Sequence, residues 1–165
     1  MVRDTVAEGS RWFPLARHPG AGIIDVMDPN NAIIRLCVEG MELERKGQIE
    51  EAARIFALAW DRSSDDFERC IAAHYVARHQ KIGAEALRWN QESLKRAKAS
   101  DHPSVREFYP SLYLNLGKSH EDTGNHGEAR KFYELAAKSA NLLPENAYGN
   151  SVRNGIARGL ERVCQ

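Results

Sequence analysis

Cys70, His74 and His79 are the side chains of this sequence that together could bind a transition metal. Thiolate and imidazole groups are usual ligands of Zn²⁺, and a structural zinc site needs four convergent ligands. Cys70 and His74 lie about one helical turn apart and can share a face of a helix. His79 lies five residues after His74, which on a helix directs it about 140° away. The spacing therefore favours a buried His74, and we predict no metal site.

The chain lacks the short motifs that carry nucleotide or hydrolytic chemistry. The phosphate loops G-x-G-x-x-G and G-x-x-x-x-G-K-[ST], the zinc motif H-E-x-x-H and the serine elbow G-x-S-x-G are absent. Asp65 and Asp66 precede a helical segment, where carboxylates cap free N–H groups. We therefore predict no catalytic residue, no cofactor and no enzyme activity.

Charge and cysteine content narrow the class of protein. Lys plus Arg and Asp plus Glu number 23 each, so the chain lacks the basic excess typical of nucleic-acid binders. The three cysteines are far apart and odd in number, which is typical of free thiols in a reducing compartment. No apolar run reaches the roughly 18 residues of a membrane span. We expect a cytoplasmic protein with no membrane partner, and the balanced charge disfavours nucleic acid.

Apolar residues follow helical spacing from about residue 31 to residue 163, and no strand pattern competes with it. Two pairs of helices are predicted, each joined by a glycine turn. The predicted helices are 32–46, 49–62, 110–123 and 127–141. Gly47 and Gly124 suit the turns because a positive φ costs glycine little.

Five small or aromatic residues of the first helix pair recur 77 residues later in the last pair. The matched positions are Gly40 with Gly117, Gly47 with Gly124, Ala52 with Ala129, Phe56 with Tyr133, and Ala59 with Ala136. We expect Gly40 and Gly117 to bring the backbones of each helix pair together, because glycine has no Cβ. A weaker copy lies between them, with His74 at the glycine position and Asn90 at the aromatic position. Nine extra residues belong to the stretch 100–110 that follows it, which is expected to form an added turn or a kinked helical extension before Pro110.

This framework resembles the tetratricopeptide repeat, a helix–turn–helix unit of 34 residues. The family pattern is carried best by Leu116-Gly117, His120, Gly124, Ala129, Tyr133 and Ala136, with His120 in place of the usual tyrosine. The resemblance implies an all-α, right-handed α-solenoid of three helical hairpins, at about 33–66, 67–100 and 110–143. The chain also resembles small stand-alone bacterial repeat proteins.

A stack of repeats needs a capping helix at its open end. One apolar stripe supplies it, at Tyr148, Val152, Ile156, Leu160 and Val163. We expect the capping helix over 147–163, and a repeat domain over 31–165. Residues 1–30 are rich in proline and glycine and are expected to be a loosely ordered leader. Whether the natural chain starts at Met27 stays open.

In the tetratricopeptide repeat family, the first helix of each unit lines a concave groove that receives a peptide or helix of a partner. The resemblance implies a non-catalytic adaptor or scaffold that binds a protein or peptide. The groove positions here are Met41, Arg45, Tyr75, Arg78, His79, Asn115, Lys118 and Glu121. We expect Tyr75, Arg78 and Lys118 to be the main anchors.

Two alternatives stay open. The chain could be a homo-oligomeric structural scaffold that associates through its leader or through exposed Trp60 or Trp89. It could also be an RNA-associated or enzymatic accessory protein, with Arg78, His79 and Lys118 on phosphates. The sequence does not identify the partner.

Overall fold

The computed structural model describes residues 28–163, and all regular structure within that range is helical. Six helices form three consecutive hairpins: α1 (Ala32–Arg45) with α2 (Ile49–Arg62), α3 (Asp66–Arg78) with α4 (Gly83–Ala99), and α5 (Tyr109–Asp122) with α6 (His126–Lys138). A seventh helix, α7 (Ala147–Val163), follows them. The predicted all-α stack of three hairpins and a capping helix is confirmed. The predicted leader falls almost entirely outside the described residues, as does Met27.

Side-chain caps begin the first helices of the first two hairpins. The Asn31 side chain accepts hydrogen bonds from the N–H groups of Ile33 (2.8 Å) and Ile34 (3.0 Å). The Asp65 carboxylate accepts one from the N–H of Glu68 at 2.8 Å. The predicted capping role of Asp65 is confirmed, and it satisfies an N–H group that the helix itself leaves unpaired.

Gly47 and Gly124 end α1 and α5 in the left-handed conformation, with φ of 78° and 79°. The N–H of the residue after each glycine donates to the carbonyl five residues earlier, at 2.9 Å after Gly47 and 2.8 Å after Gly124. This bond satisfies a carbonyl that the helix end leaves free. The predicted role of both glycines is confirmed.

The two remaining connections contain short 3₁₀ helices. Pro103–Phe108 forms one that runs directly into α5, so the added turn predicted before Pro110 is present. Helix α6 ends at Lys138, three residues earlier than predicted, and Ala140–Leu142 forms a 3₁₀ turn after it. The Ser139 hydroxyl donates to carbonyl oxygens of the last turn of α6, a local bond that competes with continuation of the helix.

Gly40 and Gly117 each face an aromatic ring on the second helix of the same hairpin. A Cβ on Gly117 would lie 2.6 Å from Cδ1 of Tyr133, and a Cβ on Gly40 would overlap the ring of Phe56. The expectation that these glycines bring two backbones together is therefore corrected. The close contact joins a helix backbone to a ring, because Phe56 and Tyr133 reach across the space that a Cβ would fill.

The core consists of two apolar clusters, one spanning α1 to α5 and the other α5 to α7. Ile49 is 51% exposed, because it opens α2 beside the turn. Trp60 and Trp89 were expected to be exposed. They are half-buried instead and pack edge to face, with ring centroids 5.0 Å apart.

Successive hairpins pack mainly between the second helix of one hairpin and the first helix of the next, α2 with α3 and α4 with α5. Helix α1 contacts α3, and α5 contacts α7, whereas the second helices α2, α4 and α6 make no comparable contact with one another. We call the surface formed by α1, α3 and α5 the inner face. None of the helices within residues 28–163 has the length and apolar character needed to cross a bilayer.

Candidate functional site on the inner face

Four of the eight predicted groove residues present accessible side chains. Met41 and Asn115 are half-buried, and the side chains of Lys118 and Arg45 are 30% and 66% exposed. Arg45 pairs with Glu42 of its own helix at 2.8 Å. Lys118 pairs with the Asp122 carboxylate one turn further along α5. These four side chains keep part of their surface accessible to solvent.

Tyr75 is part of the core. It is 5% exposed, and its ring stacks on Phe56 with centroids 4.9 Å apart. The Arg78 guanidinium carbon lies 5.5 Å from the centre of the Tyr75 ring, within the range of a cation–π contact. Burial raises the pKa of the Tyr75 hydroxyl well above its usual value. The structure therefore does not expose Tyr75 as the anchor that the sequence suggested.

Arg78 and His79 bind a buried carboxylate on the neighbouring helix. The Glu44 side chain is 5% exposed and lies 3.0 Å from Arg78 Nη2 and 2.8 Å from His79 Nε2. A carboxylate removed from water needs such partners to offset its lost hydration. Both of these predicted groove residues are thus engaged inside the protein. Sequence reasoning missed Glu44, although it stands 77 residues before Glu121 in the repeat register.

Glu121 joins α5 to the capping helix. Its carboxylate receives Arg162 Nε at 2.6 Å and Arg162 Nη2 at 2.9 Å, and the Tyr133 hydroxyl donates to it at 2.5 Å. Burial alone would raise the pKa of Glu121, but the hydrogen bonds from Arg162 and Tyr133 more than offset it and hold the pKa below its usual value. Glu121 contacts the chain's own α7, which places it in the packing between hairpin and cap.

The middle hairpin replaces the glycine–aromatic contact with polar side chains that bind α5. Asn115 Nδ2 lies 3.2 Å from His74 Nδ1, and Asn90 Nδ2 donates to the Ser119 hydroxyl at 2.9 Å. Burial, and secondarily the charge of Arg78, lowers the pKa of His74 to about 3. His74 is therefore neutral at physiological pH. The bonds of His74 with Asn115 and of Asn90 with Ser119 join the second hairpin to the third.

The structure does not bring the three candidate metal ligands together. The Cys70 thiol lies 3.7 Å from the Ser93 hydroxyl, while His74 contacts α5 and His79 binds Glu44. Burial raises the pKa of Cys70 to about 12, which keeps the thiol protonated. Within residues 28–163, no group of three or more His, Cys, Asp or Glu side chains is placed to hold a metal ion.

A comparison with protein-family models matches residues 110–141 to the tetratricopeptide repeat family. The match spans α5 and α6, the hairpin that contains Gly117, Gly124 and Tyr133. No curated protein matches the chain. Repeats of this family generally mediate binding to other proteins or peptides and are typically non-catalytic. Residues 110–141 thus match a tetratricopeptide repeat, and the glycine turn and the glycine–ring contact of that hairpin recur in the first hairpin.

Proposed function

We propose that this protein is a non-catalytic adaptor that binds a protein or peptide segment across its inner face. The observation that carries the proposal is the row of accessible side chains on the first helices, with Met41 on α1 and Asn115 and Lys118 on α5. A thioether, an amide and an ammonium group suit a partner with both apolar and polar contacts. Methionine in particular adapts to irregular apolar surfaces.

Rigid stacking of the hairpins supports the same proposal. The ion pair of Glu44 with Arg78 joins α1 to α3, and the ion pair of Glu121 with Arg162 joins α5 to the capping helix α7. A surface that is already ordered loses little conformational entropy when a partner binds, so a few contacts can provide specificity. We place the adaptor in the cytoplasm, as the odd number of cysteines suggests, with the thiols of Cys37 and Cys70 free and buried.

Affinity capture with matched variants tests the proposal. The inner-face variant replaces Met41, Arg45 and Lys118 with alanine, and the control replaces the exposed Arg54 and Lys95 of the second helices α2 and α4 with alanine. Both variants should retain the thermal unfolding midpoint of the wild type to within a few degrees. We expect the control to recover the same proteins from source-cell extract as the wild type, and the inner-face variant to lose them. Equal recovery by both variants would contradict the proposal.

The same preparations address the alternatives. Light scattering over a range of concentrations detects a homo-oligomeric scaffold. RNA binding that weakens steeply with salt would favour a nucleic-acid partner. The engagement of Arg78 and His79 by Glu44 supports a protein partner over RNA, because the Arg78 charge is already paired with a carboxylate and His79 is bound to the same group.

A further inference from the structure

A groove lies where the start of α1 meets the end of α2 and the residues that lead into α3. Its volume is about 680 Å³, and Ile33 and Leu36 of α1 form part of its lining. Ile33 is buried and Leu36 is half-buried, so part of the groove wall is apolar. No residue of the predicted inner-face set lines the groove. It is therefore a second surface, separate from the proposed partner site.

The groove also carries guanidinium groups that the described part of the chain leaves without a partner. Arg35 of α1 and Arg62 of α2 line it, both are exposed, and neither forms an ion pair or a side-chain hydrogen bond there. The lining carboxylate of Glu68 is engaged by Ser64, whose N–H donates to it at 2.7 Å and whose hydroxyl donates at 2.9 Å. Glu39 is the other lining carboxylate. Unpaired guanidinium groups thus outnumber unpaired carboxylates, which favours a ligand with a negative charge.

The chain enters α1 through a turn at the edge of this groove. The N–H of Asn31 donates to the Asp28 carbonyl at 3.1 Å, and the N–H of Asn30 donates to the Asp28 side chain at 2.9 Å. A turn closed in this way brings its first and last residues within about 7 Å of each other. Asn31 Nδ2 also donates to Glu68 Oε1 at 2.8 Å, which fixes the turn to α3. The backbone that leads into Asp28 therefore begins beside Ala32, which itself lines the groove.

The sequence immediately before this turn matches the groove in chemistry. Residues 22–27, with the sequence GIIDVM, hold four apolar side chains and one carboxylate, that of Asp25. Only the four residues of the turn separate this segment from α1. A segment joined by so short a linker is present at an effective concentration in the millimolar range, so weak contacts suffice to bind it.

We propose that residues 22–27 bind in this groove and cap the first hairpin, with Ile23 and Ile24 on the apolar wall and the Asp25 carboxylate paired with Arg35 or Arg62. The first hairpin has no neighbouring repeat before it within residues 28–163. The end of a repeat stack needs such a cover. The inference goes beyond the proposed function, because it involves no residue of the inner face.

Methyl NMR of the full chain tests the proposal. Isoleucine and leucine methyl groups are labelled with ¹³C, and we expect nuclear Overhauser effects from Ile23 and Ile24 to Ile33 and Leu36. In an equal mixture of labelled and unlabelled chains, filtered spectra should show none of these contacts between different molecules. Contacts found only between molecules would assign the groove to a second copy and overturn the proposal. Absence of any contact in the folded chain would also overturn it.

Charge reversal gives an independent readout. Asp25→Arg should abolish the methyl contacts without changing the helical circular dichroism, because it places a third cation beside Arg35 and Arg62. Adding Arg35→Glu or Arg62→Glu to Asp25→Arg should restore the contacts for whichever arginine is the partner. Asp4→Arg, which makes the same change outside residues 22–27, is the matched control and should leave the contacts intact. Contacts that survive Asp25→Arg, or that neither second substitution restores, would contradict the ion pair.

Discussion

Glu121 accepts two hydrogen bonds from Arg162, 41 residues further along the chain, and this ion pair joins helix α5 to α7. Glu44 has the same position in the first hairpin and binds Arg78 of α3 at 3.0 Å. In both hairpins, a carboxylate near the end of the first helix binds a guanidinium group from the helix that follows the hairpin. That helix is α3 after the first hairpin and the capping helix α7 after the third. The repeat therefore reproduces an ionic contact with the following helix as well as the packing within a hairpin.

The second partner of each carboxylate accounts for the one chemical difference between the matched aromatic residues, Phe56 and Tyr133. The Tyr133 hydroxyl donates to Glu121, whereas Phe56 has no hydroxyl. In the first hairpin His79 binds the second oxygen of Glu44 instead, and the imidazole ring also lies 5.2 Å from the ring of Phe56. Both carboxylates thus obtain two different partners.

We predict that Gly117→Ala destabilises the protein by about 1–3 kcal/mol, because its Cβ would overpack the Tyr133 ring. Gly117→Leu should cost at least as much. Gly127→Ala is the matched control, since a Cβ there meets no atom within 4 Å, and it should be neutral or stabilising by up to about 1 kcal/mol. Urea denaturation gives both values, and equal stability of the two alanine variants would contradict the predicted overpacking.

Arg78→Ala should destabilise the fold by about 3 kcal/mol, because it leaves the buried Glu44 carboxylate with His79 alone. Arg54→Ala, which breaks an exposed pair with Glu51, should cost less than about 1 kcal/mol. Chemical denaturation of the two variants compares them directly. Similar losses of unfolding free energy in Arg78→Ala and Arg54→Ala would show that the pair of Arg78 with Glu44 contributes little to stability. The prediction also means that Arg78→Ala is unsuitable as a mutation that probes binding alone.

Glu121→Gln should lower the free energy of unfolding by about 1–2 kcal/mol at pH 7, through loss of charge-assisted bonds to Arg162 and Tyr133. The pKa of Glu121 is lower in the folded state than its unfolded value of about 4.3, so its contribution is present above that pH. The contribution is lost as the pH falls through the folded pKa. Denaturation of both proteins at pH 7 and pH 3 should show the difference shrinking, and a difference that persists at pH 3 would contradict the ionic origin.

His74 should make stability depend on pH between about 6.5 and 3. Its pKa is lowered to about 3 by burial, so the unfolded chain binds a proton in that range and the folded chain does not. The contribution of His74 to the free energy of unfolding is complete above pH 6.5. It declines as the pH falls, by up to about 1.4 kcal/mol per pH unit. We expect His74→Gln to flatten the slope of the unfolding free energy against pH between pH 6.5 and 5, where carboxylates titrate little. Urea denaturation at several pH values measures this slope. His126→Gln, at an exposed position of α6, should leave it unchanged.

The hairpins could be predicted from the sequence because their determinants are local. Helical spacing, and glycine at positions 47 and 124, fixed the turns to within a residue. The buried state of Tyr75 and the pairing of Glu44 with Arg78 depend on contacts between different hairpins, which composition and spacing do not encode. Residue type alone made Tyr75 and Arg78 resemble binding anchors, yet both stabilise the stack. The shared register of Glu44 and Glu121 was the signal that could have revealed the ionic contact.

The most direct test of the repeated architecture is proton NMR of the two glycine–ring contacts. We predict nuclear Overhauser effects from the Gly117 Hα protons to the Tyr133 ring and from the Gly40 Hα protons to the Phe56 ring, with both glycines shifted by ring currents. The contacts are tight enough that both sets of signals should be strong. Absence of either contact in the folded protein would contradict the conclusion that the chain builds the same hairpin twice.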